Sequence, residues 1–206
     1  PQHHGFDHNL GGDDHGAPGS FFHPFKGTWG IPTTKLRASK QAFTGGSKGD
    51  YLTDVLAEGT VKLIKENGQK KPFFLYFPFY AVHTPLQGKK EKIERYEQVP
   101  KDKRQGNPIY AAMVESVDDA VGKVMDAVRE LGMEKDTLVL FTSDNGGFAR
   151  ATNHAPLRAN KGSPYEGGIR VPLIISGAGV EREGKTCAVP ATSSDLYPTI
   201  LEMAGL

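Results

Sequence analysis

Apolar positions recur with a helical period in two stretches of the chain. From Asp50 onward, Leu52, Val55, Leu56, Leu63 and Ile64 fall mostly on one face of a helix, and Asn67-Gly68 supplies its stop. A stronger pattern joins Tyr110, Met113, Val114, Val117, Val121, Val124, Met125, Val128 and Leu131 over about six turns, ending at Gly132. Short continuous apolar runs read differently. FFLYF at residues 73–77, closed by Pro78, predicts a strand buried on both faces, and TLVLFT at 137–142 predicts a second. Residues 171–176 predict a third. The last periodic stretch, 195–204, predicts a helix capped by Ser193 or Ser194, with Pro198 in its first turn.

Two stretches carry no such pattern. Residues 88–106 are charged and polar and predict an exposed excursion. Residues 1–48 are rich in Gly, Pro, His and Asn, with isolated aromatics such as Phe6, Phe21, Phe22, Phe25 and Trp29. That composition is compatible with disorder and with a long functional loop, and the aromatics favour packing. The alternation of helix and strand predicts an α/β fold, with a mainly parallel sheet flanked by helices. The chain reads as one domain over 1–206, with a loop-rich segment at 1–48 and an α/β portion at 49–206.

Composition narrows the function classes. The chain has 206 residues, enough for one domain or a large piece of a bigger one. Its 25 basic and 24 acidic side chains leave a net charge of +1, and no block of like charge stands out. Attraction to nucleic acid or to an anionic membrane is not indicated. No apolar run approaches the ~20 residues that span a bilayer. The single cysteine, Cys187, can form neither an internal disulfide nor a zinc site alone. The opening PQHHGFDHNLGG shows no signal peptide and reads like the middle of a protein.

In open α/β sheets, ligands bind beyond the carboxyl ends of the strands. Two polar clusters are expected there, His83 beyond FFLYF and Ser143-Asp144-Asn145-Gly146-Gly147 after TLVLFT, and a third cluster runs from Asn160-Lys161-Gly162 to Arg170. Asp and Asn oxygens suit Ca²⁺ or Mg²⁺, yet Asp-Asn-Gly-Gly is also common turn chemistry, and composition alone favours the turn. A lysine among glycines can serve an oxyanion, although the P-loop spacing is missing. Glu166 and Arg170 read as a structural pair. The early histidines, His3, His4, His8, His15 and His23, fit no zinc spacing, and Asp13-Asp14 reads as a loop feature.

Taken in order, these segments resemble the formylglycine-dependent sulfatases of the alkaline phosphatase superfamily. The resemblance rests on Gly5-Phe6-Asp7, PFFLYFPFYAVHTPLQ at 72–87, Ser116-Val117-Asp118-Asp119, FTSDNGG at 141–147, KGSPYEGGIRVP at 161–172 and DLYPTILEMAG at 195–205. It covers nearly the whole chain, and FTSDNGG together with KGSPYEGGIRVP turns the reading of Asp144-Asn145 toward metal binding. The resemblance implies Asp144 and Asn145 as ligands of Ca²⁺ (or Mg²⁺), His83 as a general acid at the leaving oxygen, and Lys161 on a sulfate oxygen. It implies hydrolysis of a small-molecule or carbohydrate sulfate ester, in which a formylglycine hydrate attacks sulfur and the covalent sulfate is then eliminated. A periplasmic, secreted or lysosomal location follows from the same resemblance.

The C/S-x-P-x-R motif that encodes such a nucleophile does not occur in these residues, and Cys187 lacks the pattern. An early Asp-Asp metal pair and a G-K-x-H motif are likewise expected upstream of Pro1. The chain therefore reads as the later, incomplete part of a catalytic domain, inactive alone. Asn160 stands where the family usually has glycine. The alternatives are a phosphonate or phosphodiester hydrolase of the same superfamily, and a non-catalytic sulfate-binding remnant. Substrate choice is expected in loops such as 8–48, 88–106 and 148–160.

Overall fold

The computed structural model describes residues 4–11, 16–25, 46–181 and 184–206. Trp29, Asp13-Asp14, His3 and His15 lie outside them. Helix α1 spans Leu52–Asn67, α2 Lys90–Glu97, and α3 Pro108–Glu130. Strand β1 (Leu138–Thr142) precedes a one-turn helix α4 (Glu166–Ile169), strand β2 (Leu173–Gly177) and helix α5 (Ser193–Met203).

Helix α3 begins where the sequence chemistry asks it to. The Asn107 side chain accepts the Ile109 N–H at 2.8 Å, and Pro108 occupies the first helical position, where its missing N–H has no partner to lose. Its buried face is made chiefly of small residues, Ala112, Ser116, Ala120 and Ala127, with Met113 and Val128. Helices α1 and α2 both pack on α3, and α1 buries Leu52, Leu56, Ala57, Thr60 and Ile64. The Ser116 hydroxyl donates to the Ala112 carbonyl at 2.9 Å, so its burial leaves no unmet donor.

The core sits between these helices and the irregular N-terminal segment. Phe21, Phe25, Tyr51, Leu52, Leu56 and Met113 form one buried cluster, so the early aromatics pack rather than dangle. Gln87 ties the segment down: its side-chain oxygen accepts from the Phe21 N–H at 2.7 Å and from the Ser20 hydroxyl at 3.0 Å. The Tyr51 hydroxyl donates to the Gln87 carbonyl at 2.8 Å. Burial, and then the Asp54 carboxylate, push the Tyr51 phenol well above its ordinary range, so it remains a donor.

Three expectations are corrected by the structure. Residues 73–77 are not buried on both faces and join no ladder among the described residues; Phe74 is 60% and Tyr76 67% exposed. An apolar run is buried only where neighbouring strands flank it, and none does so here. The two strands that pair do so antiparallel, with Thr142 opposite Leu173 and Leu138 opposite Gly177. This pair is the part of the sheet that the described residues hold, and the loop from 143 to 172 leaves and returns at the same end of it. Residues 88–106 are not a bare excursion. They form α2 and a 3-10 turn (Lys101–Lys103), and α2 packs on α3. Polarity hid this contact, since the anchor is a lysine: Lys92 is 5% exposed and pairs with Asp119 and, at 3.5 Å, with Glu115. Finally, α5 is capped by Thr192 rather than Ser193 or Ser194, and Pro198 lies inside it beyond the first turn.

Candidate active site

Strand β1 delivers its polar sequel at one end of the two-stranded sheet. The Thr142 hydroxyl donates to the Pro172 carbonyl at 2.9 Å, clasping the end of β1 to the start of β2. The Ser143 hydroxyl then donates to the Asn145 carbonyl at 3.0 Å and rounds the turn. The Asn145 amide nitrogen donates to one Asp144 carboxylate oxygen. The Asn145 amide oxygen and the second Asp144 oxygen are left outside that bond.

The segment carrying Lys161 is joined to this turn by backbone alone. The Gly146 N–H donates to the Gly168 carbonyl at 2.9 Å, and the Lys161 N–H donates to the Gly147 carbonyl at 3.1 Å. Gly146, Gly167 and Gly168 are buried. A Cβ on Gly167 would lie 2.1 Å from the Ala159 carbonyl oxygen, and one on Gly168 2.1 Å from that of Ser163. Only glycine permits this approach. Beside the junction, the Arg158 guanidinium stacks over the Tyr165 ring at 3.6 Å. Arg170 and Glu166 form an exposed i,i+4 pair at 3.3 Å, the structural role read from the sequence.

His83 stands apart from this junction. Its turn is closed by the His83 N–H on the Tyr80 carbonyl at 3.0 Å, and Tyr80, Ala81, Val82 and Leu86 pack against the core. The His83 Nδ1 lies 3.1 Å from the Thr84 carbonyl and 3.2 Å from the Thr84 hydroxyl. A proton on Nδ1 meets that carbonyl and leaves Nε2 outside these bonds. Backbone bonding thus sets the segment of Lys161 against the turn that carries Asp144 and Asn145, whereas His83 is held by the helical core.

The donor set of the turn fits a hard cation. A carboxylate and an amide oxygen, Asp144 exposed and Asn145 half-buried, are the ligand types that Ca²⁺ prefers, and they supply two of the six to eight oxygens it takes. Among the described residues no group of three or more His, Cys, Asp or Glu side chains gathers around them.

The family model for sulfatases matches residues 2–206. The chain belongs to the sulfatase family. A sulfatase of Formosa agariphila is 39% identical over 166 residues, which is 75% of this chain and 30% of that protein. Mouse arylsulfatase J is 31% identical over 76% of this chain and 26% of its own length. A crystal structure described as Ps i-CgsB in complex with k-i-k-neocarrahexaose superposes with a TM-score of 0.70 at 38% identity, over 79% of this chain and 36% of that one. This sulfatase chain therefore spans about a third or less of these relatives, and its α/β fold is theirs in part. Among the described residues no helix is long and apolar enough to cross a membrane.

Sequence reasoning located the sulfatase motifs but missed what holds them. The Gly146–Gly168 junction was legible only as two Gly-Gly pairs at equivalent places in two motifs. His154, whose ring packs against Gly147, carried no signal beyond being a lone histidine between them.

Proposed function

We propose that this chain supplies part of the active site of a sulfuric ester hydrolase acting on a sulfated carbohydrate. One observation carries the reading: the backbone junction that fixes the Asp144-Asn145 turn and Lys161 together at one end of the β1–β2 pair. Asp144 and Asn145 would hold Ca²⁺ through their side-chain oxygens, and the ion when bound neutralises sulfate charge. Lys161 reaches a sulfate oxygen as a flexible point charge and stabilises the charge that grows there. His83 donates a proton to the departing sugar oxygen. The carbohydrate class is supported by the solved relative that holds a carrahexaose.

The attack on sulfur would come from a formylglycine outside these residues. No C/S-x-P-x-R stretch lies within these 206 residues, so they are inactive as an isolated chain. The test uses the complete protein, assayed on matched sulfate and phosphate esters with and without a chelator. Sulfate turnover that is lost on chelation, restored by Ca²⁺ and cut roughly 100-fold or more by Lys161→Ala supports the assignment. Faster phosphodiester or phosphonate turnover would move the protein to its phosphoryl-cleaving cousins. Sulfate-ester binding without any turnover would leave a sulfate-binding remnant.

A further inference from the structure

Residues of the 149–160 loop, which joins the Asp144-Asn145 turn to Lys161 in sequence, line an open cleft of about 300 Å³. Its walls include Thr152, Asn153, His154, Pro156, Leu157 and Asn160, and no lining residue is Asp, Glu, Lys or Arg. The cleft is held from beneath. Ala151 is 2% exposed, the Asn107 N–H donates to its carbonyl at 2.7 Å, and the Asn153 N–H donates to the Gln105 carbonyl at 3.1 Å. The Asn153 side-chain oxygen accepts the Ala155 N–H at 2.8 Å, which leaves the amide nitrogen as its donor.

The cleft adjoins the sulfate lysine. A Cβ on Gly147 would stand 2.7 Å from the His154 Nε2 and 2.7 Å from the Thr152 methyl, so both residues rest on the backbone whose carbonyl holds the Lys161 N–H. Asn160 lines the cleft and immediately precedes Lys161. Its backbone carbonyl, rather than its side chain, closes the next turn by accepting the Ser163 N–H at 3.1 Å.

We infer that this cleft is a subsite for an uncharged sugar ring next to the sulfated one, an inference that rests on the sulfate-ester reading above. Amides, an imidazole and a hydroxyl match ring hydroxyls as donors and acceptors, and Pro156 and Leu157 offer apolar surface for the C–H face. A uronate or a second sulfate placed here would find no lysine or arginine among the lining side chains to pair with. The subsite thereby selects neutral neighbours by leaving charged ones unpaired.

The experiment compares three substrates in the complete protein: a sulfated disaccharide with a neutral second ring, the same disaccharide with a uronate second ring, and 4-methylumbelliferyl sulfate. Wild type is expected to prefer the neutral disaccharide over the uronate at least tenfold in kcat/KM. Asn160→Ala and, at near-constant volume, His154→Gln are each expected to lower kcat/KM for the neutral disaccharide at least tenfold more than for the aryl sulfate. Circular-dichroism melts check that both variants fold. Equal losses on both substrates, no loss, or a wild type that prefers the uronate overturns the subsite while leaving the sulfatase reading intact. A wild type that turns over no sulfate ester at all overturns the sulfatase reading, and the subsite with it.

Discussion

The Gly146 N–H donates to the carbonyl of Gly168 at 2.9 Å, and a Cβ at Gly146 would stand 1.9 Å from the carbonyl oxygen of the adjacent Gly167. That distance leaves no room for a side chain of any kind. Gly146→Ala must push the two backbones apart, and the expected loss of stability is about 1–3 kcal/mol. Gly122 gives the contrast. It lies exposed within α3, with nothing near its missing Cβ. Gly122→Ala is expected to stabilise the protein by roughly 0.5–1 kcal/mol through helix propensity. Urea denaturation of the two variants measures both signs. Equal and small effects would mean that the junction is looser than its geometry indicates.

Asp144→Ala removes the one full negative charge from the turn and frees the Asn145 amide nitrogen that bonds to it. Calcium affinity, measured by isothermal titration on the complete protein, is expected to fall more than about 10-fold, since even outer-shell losses reach that size. Unchanged affinity would remove Asp144 from the ligand set.

His83→Ala separates two roles for the histidine. A general acid matters most when the leaving group is a poor one. Turnover of a sugar sulfate is expected to fall roughly 10²–10⁴-fold, and that of 4-nitrophenyl sulfate, whose phenolate leaves unaided, far less. Equal losses on the two substrates would assign His83 to holding sulfate rather than to proton transfer.

The start of α5 responds to acid. The Asp195 carboxylate accepts the Thr192 N–H at 2.6 Å and the Thr192 hydroxyl at 3.0 Å, and these bonds hold it below its ordinary value of 3.8. A carboxyl whose folded pKa is depressed stabilises the fold above its unfolded pKa, and that contribution is lost as pH falls through the folded value. The first turn of α5 is thus expected to exchange its amides faster below pH 3.8 than opening elsewhere accounts for. Asp195→Asn should abolish that extra pH dependence. A variant that keeps it would show that another group titrates.

What could be read from the sequence divides along a physical line. The α3 helix was legible because its signals are local: Asn107 and Pro108 at one end, Gly132 just past the other, and a helical period between. The clusters around Asp144 and Lys161 were singled out through the resemblance of FTSDNGG and KGSPYEGGIRVP to the family, since composition alone reads Asp-Asn-Gly-Gly as a turn. Burial was harder to read. Most valines of the apolar stripe in α3 are only partly covered, Val114 being 46% exposed, while the buried positions other than Met113 and Val128 are alanine and serine. Periodicity reports which positions are apolar, not which of two adjacent faces a neighbour occupies. Lys92 misled in the opposite direction, because two carboxylates on another helix make its burial tolerable. The cap at Thr192 was missed because three consecutive hydroxyl residues, Thr192, Ser193 and Ser194, offer the same chemistry.

The bare run at residues 73–77 and the two-stranded sheet have a practical consequence. Among the described residues β1 and β2 pair only with each other, so each has an edge without a ladder partner there, and Ile174 of β2 is 58% exposed. Unprotected strand edges beside exposed aromatics are sticky templates for intermolecular strand addition. Produced by itself, this polypeptide is expected to self-associate, which light scattering would show as a mass above that of one chain.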